Sequence, residues 1–481
     1  MASHRAFQSL RSFTRPLAST SASATSAAVS PLNLTQNPNP TATVLNFDDV
    51  KELFSSVKTT KLLRSSINLH AAAIEPMVDL GMWAMNSKMM KMVVLREVML
   101  GVVRRTFFEH FCAGETPAEA GKKAVELWES GGLRGMLNYA LEYANDNESC
   151  DRNFECFLQT VEATKSLPRS SVSFVIVKVT AICPLALLQR VSDLLRWEYM
   201  NQSFQLPWKL KTLPIFSDSS PFYHTPRKPN PLTPEEEQDL QLAHQRFQKI
   251  CQNCSNASVP LVIDAEDTSV QPAIDYFTYS AAIEHNRDDD PIVFGTIQAY
   301  RKDSKERLFR AANAAEKMGV PMGIKLVRGA YMGSERALAA SLGVESPIHN
   351  TIDQTHDCFN DCSSYLIEKA ADGSAAVVLA THNIESGNMA AAKARELQIG
   401  KENQRLQFAQ LYGMSDSLSF GLRNAGFQVS KYMPFGPVEL IIPYLLRRAE
   451  ENRGLLSASA LDRQLLRKEL KRRLKAAILK E

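Results

Sequence analysis

The chain has 481 residues, enough for one large domain with appendages or for two or three domains. Charged residues make up 22% and hydrophobic residues 44%, ordinary for a soluble globular protein, and a formal charge of +3 gives no pull towards nucleic acid. Eight cysteines at irregular spacing exclude a disulfide framework; Cys251-x-x-Cys254 lacks a second pair at zinc spacing, and Cys358 and Cys362 read as free thiols one helical turn apart.

The N-terminus carries no Asp or Glu from Met1 to Phe47, while Arg5, Arg11 and Arg15 alternate with Phe7, Leu10, Phe13 and Leu17. A Ser/Thr/Ala run, Ser19–Ser30, follows. Arg-rich, Ser-rich and acid-free composition is that of an organelle transit peptide, here residues 1–40, disordered and removed on import. Mitochondrial import is the first reading and plastid import the alternative. Residues 41–105 have helical periodicity and seven Met between Met77 and Met99, interleaved with Trp83, Val93, Val94 and Leu95. A methionine stripe of this kind is adaptable packing, so the segment reads as a helical arm against the main domain. No stretch reaches ~20 apolar residues without a charge or proline; the nearest, Val172–Leu188, contains Lys178 and Pro184.

From 106 to 455 short β-branched runs alternate with amphipathic stretches. The runs are Leu133–Leu137, Val172–Thr180, Val259–Asp264, Ile292–Gln298, Gly323–Val327, Ala375–Ala380, Leu406–Leu411 and Phe427–Tyr432. Between them lie helical patterns such as Glu115–Ser130, Pro234–Cys251, Val270–Glu284, Lys302–Met318 and Met389–Leu397. Thr233 followed by Pro234 and three Glu marks a helix start. Runs that are apolar throughout fit parallel strands buried on both faces, and the alternation predicts an α/β fold, a (βα)8 barrel. A doubly wound sheet is the runner-up, but Ser130–Gly135 (SGGLRG) lacks the first glycine of a dinucleotide fingerprint and follows a helix. Residues 190–232, rich in Pro, Ser and aromatics, read as an insertion after the second strand.

A barrel puts its chemistry at the C-terminal ends of its strands, and polar residues recur there. Lys178 lies late in its strand, and Asp264 ends LVID ahead of Glu266 and Asp267. Gln298 precedes Tyr300, Lys325 interrupts GIKLV, Thr381-His382-Asn383 follows VVLA, and Gln410 closes LQFAQ. A strand lysine is unfavourable unless it meets an anion or a dipole. His382 has no second His or carboxylate at ligand spacing, so no metal is expected. In Tyr432–Asn452 a Pro/Gly-broken segment becomes a helix, with Val438, Ile441, Ile442, Leu445 and Leu446 on one face. Arg447 and Arg448 point about 100° apart on it, and paired guanidiniums suit bidentate recognition of a carboxylate. The bland alternative is a cation-rich helix end. Residues 456–481 form a basic tail with Leu465, Leu466, Leu470, Leu474 and Ile478 at helical spacing, suited to an anionic membrane surface or to docking on the barrel.

Five segments then stand in order: Ile263–Glu266 (IDAE), Lys325–Tyr331 (KLVRGAY), Thr381–Asn383 (THN), Phe408–Gly413 (FAQLYG) and Tyr444–Asn452 (YLLRRAEEN). From about Gly114 to Asn452 the chain resembles the proline dehydrogenase family, which has a flavin-containing (βα)8 barrel. With its transit-like N-terminus it resembles the single-function mitochondrial enzyme of eukaryotes, plant forms in particular. The resemblance implies oxidation of L-proline to Δ1-pyrroline-5-carboxylate with reduction of FAD. Electrons would pass to a ubiquinone-type acceptor, from a peripheral position on the matrix side of the inner mitochondrial membrane.

The same resemblance implies residue roles. Arg447, Arg448 and Lys178 would clamp the substrate carboxylate. Tyr331, Leu411, Tyr432 and Tyr444 would enclose the ring, with Asp264 beneath, and Glu142 would be a gate acid paired to the first arginine of the doublet. Gln298, Lys325, Val327, Gly329, Thr381, His382, Asn383 and Gln410 would hold FAD, with Lys325 beside its reactive nitrogen, where bacterial members carry Arg. A hydroxyproline-oxidising relative is the nearest alternative, disfavoured because Tyr432 crowds a ring hydroxyl. A lyase or aldolase-type barrel using Lys178 or Lys325 as a Schiff-base amine is the alternative from another class.

Overall fold

In a computed structural model the described residues are 44–71, 92–287, 290–400, 402–454 and 456–479. Eight parallel strands close into a barrel in sequence order: β1 Arg134–Tyr139, β2 Val172–Val177, β3 Leu261–Ile263, β4 Val293–Gln298, β5 Met322–Val327, β6 Ala375–Ala380, β7 Leu406–Leu411 and β8 Gln428–Phe435. Helices outside the ring cover their outer faces, which is why β2 and β4 are buried at every position. Side chains alternate along each strand. Met136, Phe174, Ile176, Val262, Phe294, Val378 and Ala409 fill the interior. Phe174 and Phe294 meet edge to face at 5.0 Å. Gly323 makes room for this: a Cβ there would lie 2.7 Å from the Phe294 ring and from the Val293 carbonyl.

Helix starts follow local chemistry. Thr233 accepts from the Glu236 amide while Glu236 accepts from the Thr233 amide, a capping box ahead of Pro234–Ala257. Thr351 and Gln354 repeat the device for Ile352–Ala371, a helix the sequence patterns did not single out. Asn147–Thr164, capped by Asp146, is another.

The boundary of the insertion needs correction. Arg190 lies within a barrel helix, Leu185–Met200, whose Leu187, Leu188, Val191, Leu194 and Leu195 are buried. The irregular stretch therefore begins after Met200. Its Leu213, Ile215 and Phe216 are buried, Arg307 Nε donates to the Ile215 carbonyl at 3.0 Å, and Ser220 Oγ donates to Asp303 at 2.8 Å.

The transit-like segment up to residue 43 and the methionines from Met77 to Met90 lie outside the described residues. The described arm comprises Val50–Leu53, Thr59–Ala71 and Val93–Val103, the last running into a π-helical turn, Arg104–Phe108. No described helix is long and apolar enough to cross a membrane. The tail helix, Leu456–Leu479, packs on the arm. Leu465 and Leu466 join the main core, whereas Leu474 and Ile478 are exposed. Glu469 gathers Arg472 and Arg473, and Arg473 donates to the Phe54 and Val57 carbonyls at 2.8 and 2.7 Å.

Asp462 on this helix accepts from the Ser417 amide at 3.1 Å and from its hydroxyl. Burial, with Asp416 nearby, pushes the Asp462 carboxyl up to about 6. A folded-state value above the unfolded one means that the folded chain binds more protons between about pH 4 and 6, so stability falls as pH rises through that window. Asp462→Asn is expected to be more stable than the parent above pH 6, by on the order of 2–3 kcal/mol, with the gap closing towards pH 4. Denaturant midpoints at pH 4.5 and 8 check this; a gap equal at both pH values would contradict it.

Candidate active site

The polar strand ends meet at the mouth of the barrel. Lys178 is the first residue beyond β2 and continues the inward register of Phe174 and Ile176. Asp264 does the same after Val262 in β3, which is shorter than the sequence pattern suggested. Lys178 Nζ lies 3.2 Å from Asp264 Oδ2 and 3.6 Å from Glu142 Oε2. Lys325 Nζ donates to Asp264 Oδ1, and Tyr432 Oη donates to Oδ2 at 2.7 Å. One buried carboxylate thus holds two ammoniums and a phenol. Burial alone would raise the Asp264 carboxyl, but Lys325 and Lys178 hold it well below the ordinary range. Burial likewise opposes charge on Lys178, yet Asp264 and Glu142 keep that ammonium well above its usual value. For Lys325 burial wins: it is lowered, with Asp264 offsetting part of the effect.

The arginine doublet diverges, as its helical spacing requires. Arg447 Nη1 lies 2.5 Å from Glu142 Oε1. Arg448 is buried, with its guanidinium 5.0 Å from the Tyr444 ring centre. Tyr444 belongs to a small apolar cluster against which Leu411 and Tyr432 also pack, and those two residues are register partners across β7 and β8. Tyr331 faces Glu266, Glu142 and Arg447 electrostatically, and burial raises its phenol well above the usual value.

The remaining candidates ring the same end. Gln298 Nε2 donates to the Glu266 carbonyl at 3.2 Å, and Val327 ends β5 half-buried. Thr381 accepts from Arg328 at 2.5 Å. Asn383 caps the helix Ile384–Glu396 by accepting from the Ser386 amide. Gln410 donates to the Thr381 carbonyl at 3.3 Å and accepts from Ser419 at 2.8 Å. His382 Nε2 accepts from the Leu411 amide at 3.1 Å, and burial lowers the ring to about 3. The imidazole is therefore neutral, with its proton on Nδ1.

Side chains to which the residue patterns assign no role complete the mouth. Thr180 Oγ1 donates to both carboxylate oxygens of the fully buried Glu266 at 2.9 Å. Asn138, in register with inward Met136, has a buried carboxamide with no hydrogen-bond partner among the described residues. A cavity of about 1110 Å³ lies elsewhere, lined by Lys61, His110, Tyr412, Asp416 and Lys431. Lys431 faces away from the barrel interior because it neighbours inward Tyr432, so that cavity is not this site.

A family profile described as proline dehydrogenase matches residues 121–460. The chain belongs to the proline dehydrogenase family. It is 58% identical over 434 residues to a protein of Arabidopsis thaliana called proline dehydrogenase 2, mitochondrial, covering 90% of this chain and 91% of that one. It is 59% identical over 436 residues to proline dehydrogenase 1, mitochondrial, of the same organism, covering 90% and 87%. Among solved structures it resembles proline utilization A from Bdellovibrio bacteriovorus, with a TM-score of 0.60 and 18% identity. That likeness covers 84% of this chain and 42% of the longer bacterial protein, and it carries the fold.

Proline dehydrogenases are in general FAD-dependent, and the mouth fits such a group. Gly329 is exposed at φ +134 directly after Arg328, and a Cβ there would lie 2.4 Å from the Tyr300 ring. Arg328 donates to Thr381, to Ser386 at 2.8 Å and to His356 at 3.3 Å, and stacks 4.3 Å from the Phe359 ring. Among the described residues no carboxylate pairs with it, and burial lowers it to about 10. A guanidinium held by neutral partners beside a helix N-terminus suits the phosphates of a dinucleotide. Gly329→Ala is expected to displace Tyr300 or the loop, a strain of about 1–3 kcal/mol, and to lower the flavin-to-protein absorbance ratio several-fold. Parental flavin content in the variant would contradict that role.

Proposed function

We propose that this chain is a mitochondrial, FAD-dependent proline dehydrogenase that converts L-proline to Δ1-pyrroline-5-carboxylate and passes electrons to a membrane quinone. Family membership and relatives of nearly equal length support the reaction. The observation that carries the residue assignment is the charge cluster of buried Lys178, Lys325 and Asp264 with half-buried Glu142 and Arg447.

Bound FAD would accept the hydride from the ring carbon beside the substrate nitrogen. Gln298, Lys325, Val327, Gly329, Thr381, His382, Asn383 and Gln410 are the residues assigned to hold it, with Arg328 added for its phosphates. Lys178, Arg447 and Arg448 supply the cations for the substrate carboxylate. Glu142 occupies Arg447 before substrate arrives, so the incoming carboxylate exchanges for it. Tyr331, Leu411, Tyr432 and Tyr444 enclose the ring and exclude water, which orients the reacting carbon. Asp264 fixes Tyr432 and both lysines and keeps Lys325 cationic, which suits a site where negative charge develops. The amine proton leaves to solvent.

A Schiff-base lyase needs a neutral amine. Lys178 is held in its charged form by two carboxylates, and Lys325 donates to one of them.

The reaction is tested by incubating the purified enzyme with L-proline and a soluble quinone, then weighing the product by mass spectrometry. A cyclic imine two hydrogens lighter than proline is expected. Turnover of hydroxyproline alone would assign the chain to the relative with that substrate.

A further inference from the structure

We propose that Thr180 and Glu266 form a latch that positions the substrate-binding residues Glu142 and Lys178 from behind. This inference rests on the proline-oxidising reading of the site. Thr180 stands two residues beyond Lys178, in the short turn Val179–Ala181. It ties together the loops after three strands. Its hydroxyl donates to both oxygens of Glu266, two residues beyond Asp264. Its carbonyl accepts from the Ala144 amide at 2.8 Å, two residues beyond Glu142, and the Ala144 carbonyl accepts from Leu185 at 3.0 Å.

Each end of the latch is itself held. The Gln271 carboxamide accepts from the Glu266 amide at 2.8 Å, and Gln298 donates to the Glu266 carbonyl. Between Glu142 and Ala144 the backbone of Tyr143 is left-handed at φ 63, a conformation unfavourable for a bulky residue unless its neighbours enforce it. The Ala144 hydrogen bonds, one to the Thr180 carbonyl and one from the Leu185 amide, enforce it. The groups facing Glu266 are Lys178, Glu142, Asp267, Tyr143 and Tyr331. The carboxyl is fully buried, and Thr180 supplies the hydrogen bonds to its oxygens. Losing the hydroxyl leaves those oxygens without that donor and unties the Glu266 loop from the turn that carries Lys178 and, through the Thr180 carbonyl, the loop bearing Glu142. Thr180 and Glu266 act through Glu142 and Lys178, so both are positioning residues.

The test is steady-state kinetics on flavin-loaded full-length enzyme. Thr180→Val keeps the shape and removes the donor; the KM for L-proline is expected to rise on the order of tenfold, with kcat within about twofold. Thr180→Ser is expected to restore the parental KM, and Glu266→Gln, whose amide oxygen still accepts the hydroxyl, to stay within about threefold. In a Glu142→Ala background Thr180→Val should raise the KM by less than it does in the parent, since one of the two residues through which the latch acts is already gone. Thr180→Ala is the second probe should the valine variant not take up flavin, with the same expected rise. A parental KM in folded Thr180→Val, failure of Ser to rescue, or fully multiplicative effects with Glu142→Ala would overturn the latch. A wild-type enzyme inactive on proline would overturn the functional reading instead.

Discussion

Asp264→Ala is expected to reduce kcat/KM for L-proline by at least about a thousandfold and to destabilise the barrel. Removing one partner from a buried ion pair costs about 3–5 kcal/mol, because the remaining charge is stranded away from water. Here two ammoniums lose that partner. Lys178 retains Glu142 at 3.6 Å, whereas Lys325 has no second carboxylate partner among the described residues. Burial already lowers Lys325, so without Asp264 it loses its proton more readily, and the cation assigned to the cofactor goes with it. Tyr432 loses the acceptor of its hydroxyl at the same time. The pH dependence has a definite sign. The Asp264 carboxyl is depressed in the folded chain, so its stabilisation is present above the unfolded carboxylate range and is lost as pH falls below it. The stability gap between parent and variant should therefore narrow in strong acid. Asp264→Asn, which keeps an acceptor without the charge, should fall between the two. A variant within tenfold of the parent would mean that Asp264 is not the hub of the site.

Arg447→Met is expected to raise the KM for L-proline about a hundredfold while leaving flavin content unchanged. A charge-assisted pair to a carboxylate contributes about 1.5–3 kcal/mol, and methionine keeps most of the length without the charge. The free enzyme also changes, because Glu142 loses its partner at 2.5 Å and keeps Lys178. Lys178 then carries a carboxylate with which the substrate must compete, which adds to the rise. Rapid-mixing kinetics at several proline concentrations separate binding from reduction. A large fall in the limiting rate with unchanged apparent affinity would contradict the clamp.

Much of this site was legible in the chain because a barrel makes polarity conspicuous. Strands buried on both faces are apolar, so Lys178, Asp264, Gln298, Lys325 and Gln410 stand out where the runs end, and period-two alternation turns them inward. Strand limits were less legible. β3 is only Leu261–Ile263, and nothing in LVID says that pairing stops before the aspartate. The doublet at Arg447 and Arg448 could be read as divergent from helical geometry. Its link to Glu142, far away in the chain, came from family resemblance and not from spacing. Glu266 stands out beside Asp264, but its tie to Thr180 does not, because a hydroxyl bonding a carboxylate across two loops leaves no periodic trace. The tail shows the limit of amphipathicity: it marks an apolar face without saying what covers it. Leu465 and Leu466 turn into the core beside Asp462 and Ser417, while Leu474 and Ile478 remain outside. The insertion starts after Met200 and not at Arg190, because Arg190 sits among leucines whose burial only the fold reveals.

The most direct measurement is the visible spectrum of the purified enzyme before and after anaerobic addition of L-proline. A flavin band at ~450 nm is expected that bleaches with proline and returns when a quinone is added. A colourless protein that cannot take up FAD, or a yellow one that proline leaves unbleached, would contradict it.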